Sequence, residues 1–176
     1  LAQTRLASDE RPSDVEAMRA RLVAPERCRD QADLLRAFHL PVALLQDAEA
    51  LERVAYELVE DVAGDGTHYA EIRWAPSLHT ARGLALADGI TAVAQGSRRG
   101  AARHGVEVRL IAVALRTHSP DVALAVARAA LDHGGDGVSG FDLAGIERDA
   151  PDPRVFGAVV DLARDGGLGI SCHAGE

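Results

Sequence analysis

Cysteine is scarce in this 176-residue sequence, since Cys28 and Cys172 are the two present and they form no Cys-x-x-Cys pair. A disulfide framework is therefore not expected, which is typical of a protein from a reducing compartment. No apolar run approaches the roughly 18 residues that a membrane span requires. We therefore expect a cytoplasmic protein without a membrane partner.

Lysine is absent altogether, and all 19 basic residues are arginines against 27 acidic residues, for a formal net charge of -8. Binding to a phosphate backbone depends on clustered basic residues, so a nucleic-acid partner is disfavoured. The sequence also lacks a Gly-x-Gly-x-x-Gly turn and a Walker loop, the usual signals for dinucleotide and nucleoside-triphosphate binding. The first residue is not Met, and we expect this chain to be a fragment of a longer protein.

Strand-like and helical segments alternate through the second part of the chain. Strands are expected to begin near residues 68, 106, 138 and 168, with one helix between each pair. Parallel neighbours need such a crossover helix, so the alternation predicts a parallel α/β sheet. An eight-stranded βα barrel and an open doubly wound sheet both satisfy this pattern.

Helices are predicted before the first strand and between the strands, on the basis of capping and proline signals. We expect one incomplete domain over residues 1–176, with a helical part at 1–66 and βα units at 67–176. The first three helices are expected at about 13–23, at 31–40 where Pro41 ends the helix, and at 47–63. Later helices are expected to start at Asp88, at Ser119-Pro120 and at Asp152-Pro153.

The residues after the fourth strand combine a histidine and a carboxylate around a small-residue turn. A neutral imidazole can bind a metal, and a nearby carboxyl group can transfer protons. Side chains alternate along a strand, so Ser171 and His173 share one face while Cys172 is expected to be buried against the helices. The simpler alternatives are a hydrogen-bonded structural His173 and a solvated loop carboxylate at Glu176.

Two other strand ends carry candidate residues, because chemistry in a βα barrel takes place at the C-terminal ends of the strands. Gly145 could offer its backbone N–H to a ligand, and its alternative is a plain turn glycine. Asp142 could line the interior or support the site. Glu71 and Arg73 share one face of the first strand, and we favour an internal salt bridge between them.

These segments resemble the adenosine deaminase family within the metal-dependent amidohydrolase-type barrels. The similarity runs from about residue 31 to the end of the chain, with the segments in the family's order and at its spacing. The matching segments are residues 56–60 (Tyr-Glu-Leu-Val-Glu), 69–76 (Tyr-Ala-Glu-Ile-Arg-Trp-Ala-Pro), 140–145 (Gly-Phe-Asp-Leu-Ala-Gly) and 173–176 (His-Ala-Gly-Glu).

The resemblance implies a partial eight-stranded βα barrel, of which this chain supplies the second to fifth strands, with one Zn²⁺ per subunit. His173 matches a zinc ligand, Glu176 the proton donor to the purine ring, and Gly145 the residue whose backbone N–H contacts another ring nitrogen. The implied reaction converts adenosine and water to inosine and ammonia, with a small-molecule purine nucleoside as the partner. The remaining zinc ligands and the water-activating histidine match no position in residues 1–176, so the fragment alone is expected to be inactive.

Three alternatives stay open from the sequence. Within the family, the substrate could instead be aminofutalosine or free adenine. A barrel that has lost its metal and serves as a binding module is a different class. An unrelated open-sheet α/β domain is the third. The sequence does not indicate an oligomeric state.

Overall fold

A computed structural model of the chain describes residues 11–148 and 150–175. Two compact units make up the chain, and the division between them falls between Gln46 and Asp47. The helix that precedes the first strand therefore belongs with the βα units. The expectation of one incomplete domain over residues 1–176 stays a prediction.

The first unit is helical. It contains α1 (Val15–Leu22), α2 (Gln31–Leu35), a 3-10 turn at Arg36–Phe38, and α3 (His39–Leu44). The Asp14 carboxylate caps α1 by accepting a hydrogen bond of 2.8 Å from the Ala17 N–H. That hydrogen bond is the main reason why the pKa of Asp14 is lowered. An acceptor in this position satisfies an N–H that the helix itself leaves without a partner.

The prediction of one helix that stops at Pro41 is wrong. Pro41 is the third residue of α3, in its first turn, rather than the residue that ends a helix. A proline is tolerated there, because the N–H groups of the first turn have no partner within the helix.

The second unit follows the predicted βα alternation. Its four strands are all parallel, and they lie side by side in chain order. Its elements are α4 (Ala48–Gly64), β1 (Tyr69–Trp74), α5 (Leu86–His104), β2 (Glu107–Leu115), α6 (Pro120–Asp132), β3 (Val138–Ala144), α7 (Gly157–Asp165) and β4 (Gly169–Cys172).

The strand order separates the two topologies that the sequence left open. A doubly wound sheet reverses its strand order at a switch point, whereas a barrel adds each new strand on the same side of the last. The order β1-β2-β3-β4 shows no reversal. The sheet is therefore an arc of a βα barrel.

Two predicted helix starts differ from the observed ones. Helix α5 begins at Leu86, so Asp88 lies in its first turn, where a negative charge still complements the helix dipole. Asp152 and Pro153 start a 3-10 turn, Pro153–Phe156, and α7 follows from Gly157. Hydrogen bonds from the side chain and then the N–H of Arg154 lower the pKa of Asp152.

Helices α4 and α5 approach each other closely where α5 has glycines. A Cβ added at Gly96 would lie 2.1 Å from the carbonyl oxygen of Glu52, and one at Gly100 would lie 2.7 Å from the Cβ of Val59. Both distances are shorter than van der Waals contact. The backbones of the two helices can therefore pack at this distance only while both positions lack side chains.

We expect Gly96→Ala to lower the free energy of unfolding by about 1–3 kcal/mol, since the new methyl group forces the helices apart. Gly89→Ala is the matched control in the same helix, where the nearest atom to an added Cβ is 3.5 Å away. Its higher helix propensity should make it neutral or stabilising by up to about 1 kcal/mol. Urea unfolding of both variants measures the difference, and equal stabilities would contradict the close helix contact.

Candidate active site

His173 directly follows β4 at the C-terminal edge of the sheet. Its backbone N–H donates to the carbonyl oxygen of Leu143 at 3.0 Å, so the ladder between β3 and β4 extends to this residue. The side chain is 31% exposed, and its Nδ1 lies 2.7 Å from Oδ2 of Asp142. The predicted metal ligand is therefore held by the sheet on its backbone side and faces a carboxylate on its ring side.

Asp142 lies in the middle of β3 and is completely buried. The parallel register pairs it with Val113 on one side and Ser171 on the other. Neither of its carboxylate oxygens has a hydrogen bond of good geometry within residues 11–148 and 150–175. Oδ2 nevertheless lies within hydrogen-bonding distance of Nδ1 of His173, at 2.7 Å. A buried carboxylate requires compensation by nearby charge or by donors.

Arg73 provides a positively charged group at the same carboxylate. Its Nε lies 3.6 Å from Oδ2 of Asp142, and its Nη2 donates to the Ser171 hydroxyl at 3.5 Å. The favoured internal salt bridge with Glu71 is not what the structure has. Glu71 instead accepts a hydrogen bond from the Tyr69 hydroxyl at 2.8 Å, which raises the pKa of Tyr69. Arg73 thus reaches across the sheet to β3 and β4.

Gly145 follows β3 at the same edge, one residue beyond the strand. Its φ is +105°, a conformation that residues with a side chain rarely adopt. An added Cβ would meet no atom closer than 3.7 Å, so backbone conformation rather than space requires glycine here. The structure accordingly places Gly145 and His173 at the C-terminal ends of neighbouring strands.

The role of Arg116 was missed in the sequence. It follows β2, is only 8% exposed, and donates to the carbonyl oxygens of His173 at 2.7 Å and of Leu143 at 3.3 Å. Its Nη1 lies 3.4 Å from Oε1 of Glu147. Arg116 therefore joins the C-terminal ends of three strands. The sequence signal for this role is an arginine immediately after the continuous apolar strand β2, at the C-terminal edge of the sheet.

Two other site predictions have different outcomes. Glu176, the predicted proton donor, lies outside the described residues. The prediction that Cys172 is a buried thiol is wrong, because its side chain is exposed. β4 has a neighbouring strand only on its β3 side in the described part of the chain, which leaves this position open.

A cavity of about 340 Å³ lies beside His173. The loop after β3 forms one wall, and Arg116 and Cys172 contribute to the other. Cavities of this size are at the lower end of those that bind small molecules. The cavity therefore borders His173 and Arg116, and its lining does not include Asp142 or Gly145.

The donor chemistry fits part of a zinc site. An imidazole whose Nδ1 faces a carboxylate leaves Nε2 for a cation, and histidine nitrogen is a preferred zinc donor. Within the described ranges, no group of three or more His, Cys, Asp or Glu side chains is placed to hold a metal ion together. His173 could thus supply one ligand of a site that needs others.

The described part of the chain also contains no helix long and apolar enough to cross a membrane.

A parallel βα sheet in sequential strand order, with a histidine directly after β4 beside a buried carboxylate on β3, fits a barrel of the amidohydrolase class. The chain belongs to the adenosine deaminase family, whose model matches residues 4–176.

Individual relatives agree with this assignment. The chain is 39% identical to an adenosine deaminase from Enterococcus faecalis over 94% of its own length and 49% of that protein. An amidohydrolase structure from Burkholderia ambifaria with bound zinc has a TM-score of 0.83 and 30% identity, over 100% of this chain and 47% of that one. An adenine deaminase structure from Arthrobacter aurescens has a TM-score of 0.80 and 29% identity, over 93% and 48%. The chain thus spans about half the length of the relatives it matches.

We expect Arg116→Met to lower the free energy of unfolding by about 1–3 kcal/mol, since it removes the hydrogen bond to the His173 carbonyl oxygen and the ion pair with Glu147. Arg98→Met is the matched control, because Arg98 forms an ion pair with Asp136 in which both side chains are largely exposed. Loss of such a pair costs about 0–1 kcal/mol. Thermal or urea unfolding compares them, and equal effects would show that Arg116 does not join the strand ends.

Proposed function

We propose that the protein containing this chain is a zinc-dependent hydrolase that deaminates adenosine, or a closely related adenine nucleoside, to inosine and ammonia. The observation that carries the proposal is His173 at a strand end of a chain that matches the family model over residues 4–176. We further propose one zinc ion per subunit and, from the cysteine usage, a cytoplasmic location.

His173 is proposed as one zinc ligand, through the ring nitrogen opposite its contact with Asp142. The other ligands would come from parts of the protein beyond residues 1–176. When bound, zinc supplies Lewis-acid activation of water at neutral pH. Arg116 and the Leu143 carbonyl fix the backbone of His173, which limits movement of the ligand.

Glu176 is proposed to deliver a proton to the ring nitrogen next to the attacked carbon. It is three residues beyond His173, after an Ala-Gly turn in which Gly175 has a φ of +71°. Gly145 is proposed to bind a second ring nitrogen through its backbone N–H. Its position beside Arg116, at the edge that also carries His173, supports this role.

A second candidate within the family is deamination of free adenine or aminofutalosine. The likeness to an adenine deaminase, at a TM-score of 0.80, supports keeping it. A panel of adenosine, adenine and aminofutalosine with the full-length protein separates the substrates, with ammonia release as the measurement. Failure to deaminate any of the three, together with purification free of zinc, would favour a non-catalytic binding module instead.

For the metal role, we expect His173→Ala in the full-length protein to lose stoichiometric zinc, because a zinc site with a missing protein ligand binds much more weakly. Elemental analysis after dialysis against a chelator measures this directly. His133→Ala is a control, since His133 contacts the Thr91 hydroxyl at the C-terminal end of α6, before β3 begins. Full zinc content in His173→Ala would contradict the ligand assignment.

For the proton donor, we expect Glu176→Gln to lower kcat by about 10²- to 10⁴-fold, the contribution typical of a positioned general acid. Zinc content should stay unchanged, because the proposed role involves proton transfer and not metal binding. Steady-state kinetics on zinc-loaded enzyme measure the loss. Activity within about threefold of the wild type would remove Glu176 from the proposed mechanism.

A further inference from the structure

We propose that Asp142 is a positioning residue for the metal site: its buried carboxylate orients the ring of His173 so that Nε2 faces the metal. This inference rests on the proposed function, since it takes His173 to be a zinc ligand. It assigns a role to a residue that lies one strand away from that ligand.

Asp142 cannot easily be a ligand itself. Its side chain is fully buried, and its Oδ2 already lies within 2.7 Å of His173 Nδ1 and 3.6 Å of Arg73 Nε. A hydrated cation therefore has no open approach to this oxygen in the described structure. What the carboxylate can do is hold the groups that surround it.

The neighbouring ring needs such a group. A histidine binds zinc through one nitrogen only when the proton is on the other, and a carboxylate at that other nitrogen fixes both the tautomer and the ring orientation. The 2.7 Å separation between Nδ1 and Oδ2 is a hydrogen-bonding distance. Binding of a cation at Nε2 would strengthen this contact, because it makes the Nδ1–H a better donor.

The sheet makes the arrangement rigid. Asp142 pairs with Ser171 in the register of β3 and β4, and His173 is two residues further along the same face. The His173 N–H and the Leu143 carbonyl extend that register to the ligand itself. The carboxylate is thus attached to one strand and the imidazole to the next, with their separation set by backbone hydrogen bonds.

The carboxylate of Asp142 also lacks a well-formed hydrogen bond. A buried polar atom without a hydrogen bond costs stability, and such atoms are rare in folded proteins. Both oxygens of Asp142 are in this condition within residues 11–148 and 150–175. An Nδ1–H of His173 that points at Oδ2 would satisfy one of these oxygens, as the proposed ring orientation requires.

The test compares Asp142→Asn and Asp142→Ala with wild type in the full-length protein. Zinc affinity is measured by chelator competition, and the Co²⁺-substituted protein is examined by visible absorption, which reports ligand geometry. We expect Asp142→Ala to weaken zinc binding by about 10- to 100-fold, the usual effect of removing such a partner. Asp142→Asn should lie between the two, because its amide oxygen can still accept from Nδ1 but carries no charge. Asp136→Asn, an exposed carboxylate far from the site, should bind zinc as wild type does.

The outcomes distinguish failure of the positioning role of Asp142 from failure of the proposed function. If His173→Ala loses zinc while both Asp142 variants keep wild-type affinity and an unchanged Co²⁺ spectrum, the positioning role is overturned and the proposed function stands. If His173→Ala keeps its zinc, the ligand assignment fails, and the role of Asp142 fails with it. Should Asp142→Ala not fold, the same-sized Asp142→Asn decides alone, because its affinity either falls or does not.

Discussion

The buried carboxylate of Asp142 is the constraint on which the C-terminal edge of the sheet depends. An ionised carboxylate in a protein interior is costly unless nearby groups compensate it. The compensation comes from two strands other than its own: Arg73 on β1 and His173 after β4. Arg73 and His173 are therefore brought together by one side chain on β3.

Backbone contacts keep these groups in place. Arg116, from the end of β2, donates to carbonyl oxygens at the ends of β3 and β4. An arginine suits this position because its planar, branched group of donors can reach several acceptors at once. These hydrogen bonds connect the ends of neighbouring strands. A metal or substrate site needs such rigid support.

Patterns along the chain predicted the alternation of strands and helices well. Hydrophobic periodicity, and glycine or proline residues at the ends of helices and strands, are local signals. They also placed His173 and Gly145 at strand ends, where the structure has them. The role of Glu176 stays a prediction.

Local patterns failed where distant residues decide the outcome. The partner of Arg73 depends on strand pairing and not on its neighbour Glu71, and the role of Arg116 depends on acceptors 27 and 57 residues further along the chain. Pro41 was misplaced because a proline signals either a helix stop or a helix start, and the sequence alone did not distinguish them.

The close contact between α4 and α5 has a consequence for how this sequence can be recombined with that of a relative. The residues that contact Gly96 and Gly100 belong to α4. The side chains that fit on one helix therefore depend on the other helix. A chimera that takes α4 from one parent and α5 from another combines two helix surfaces that come from different proteins. In such a chimera, residues 48–104 should therefore come from one parent.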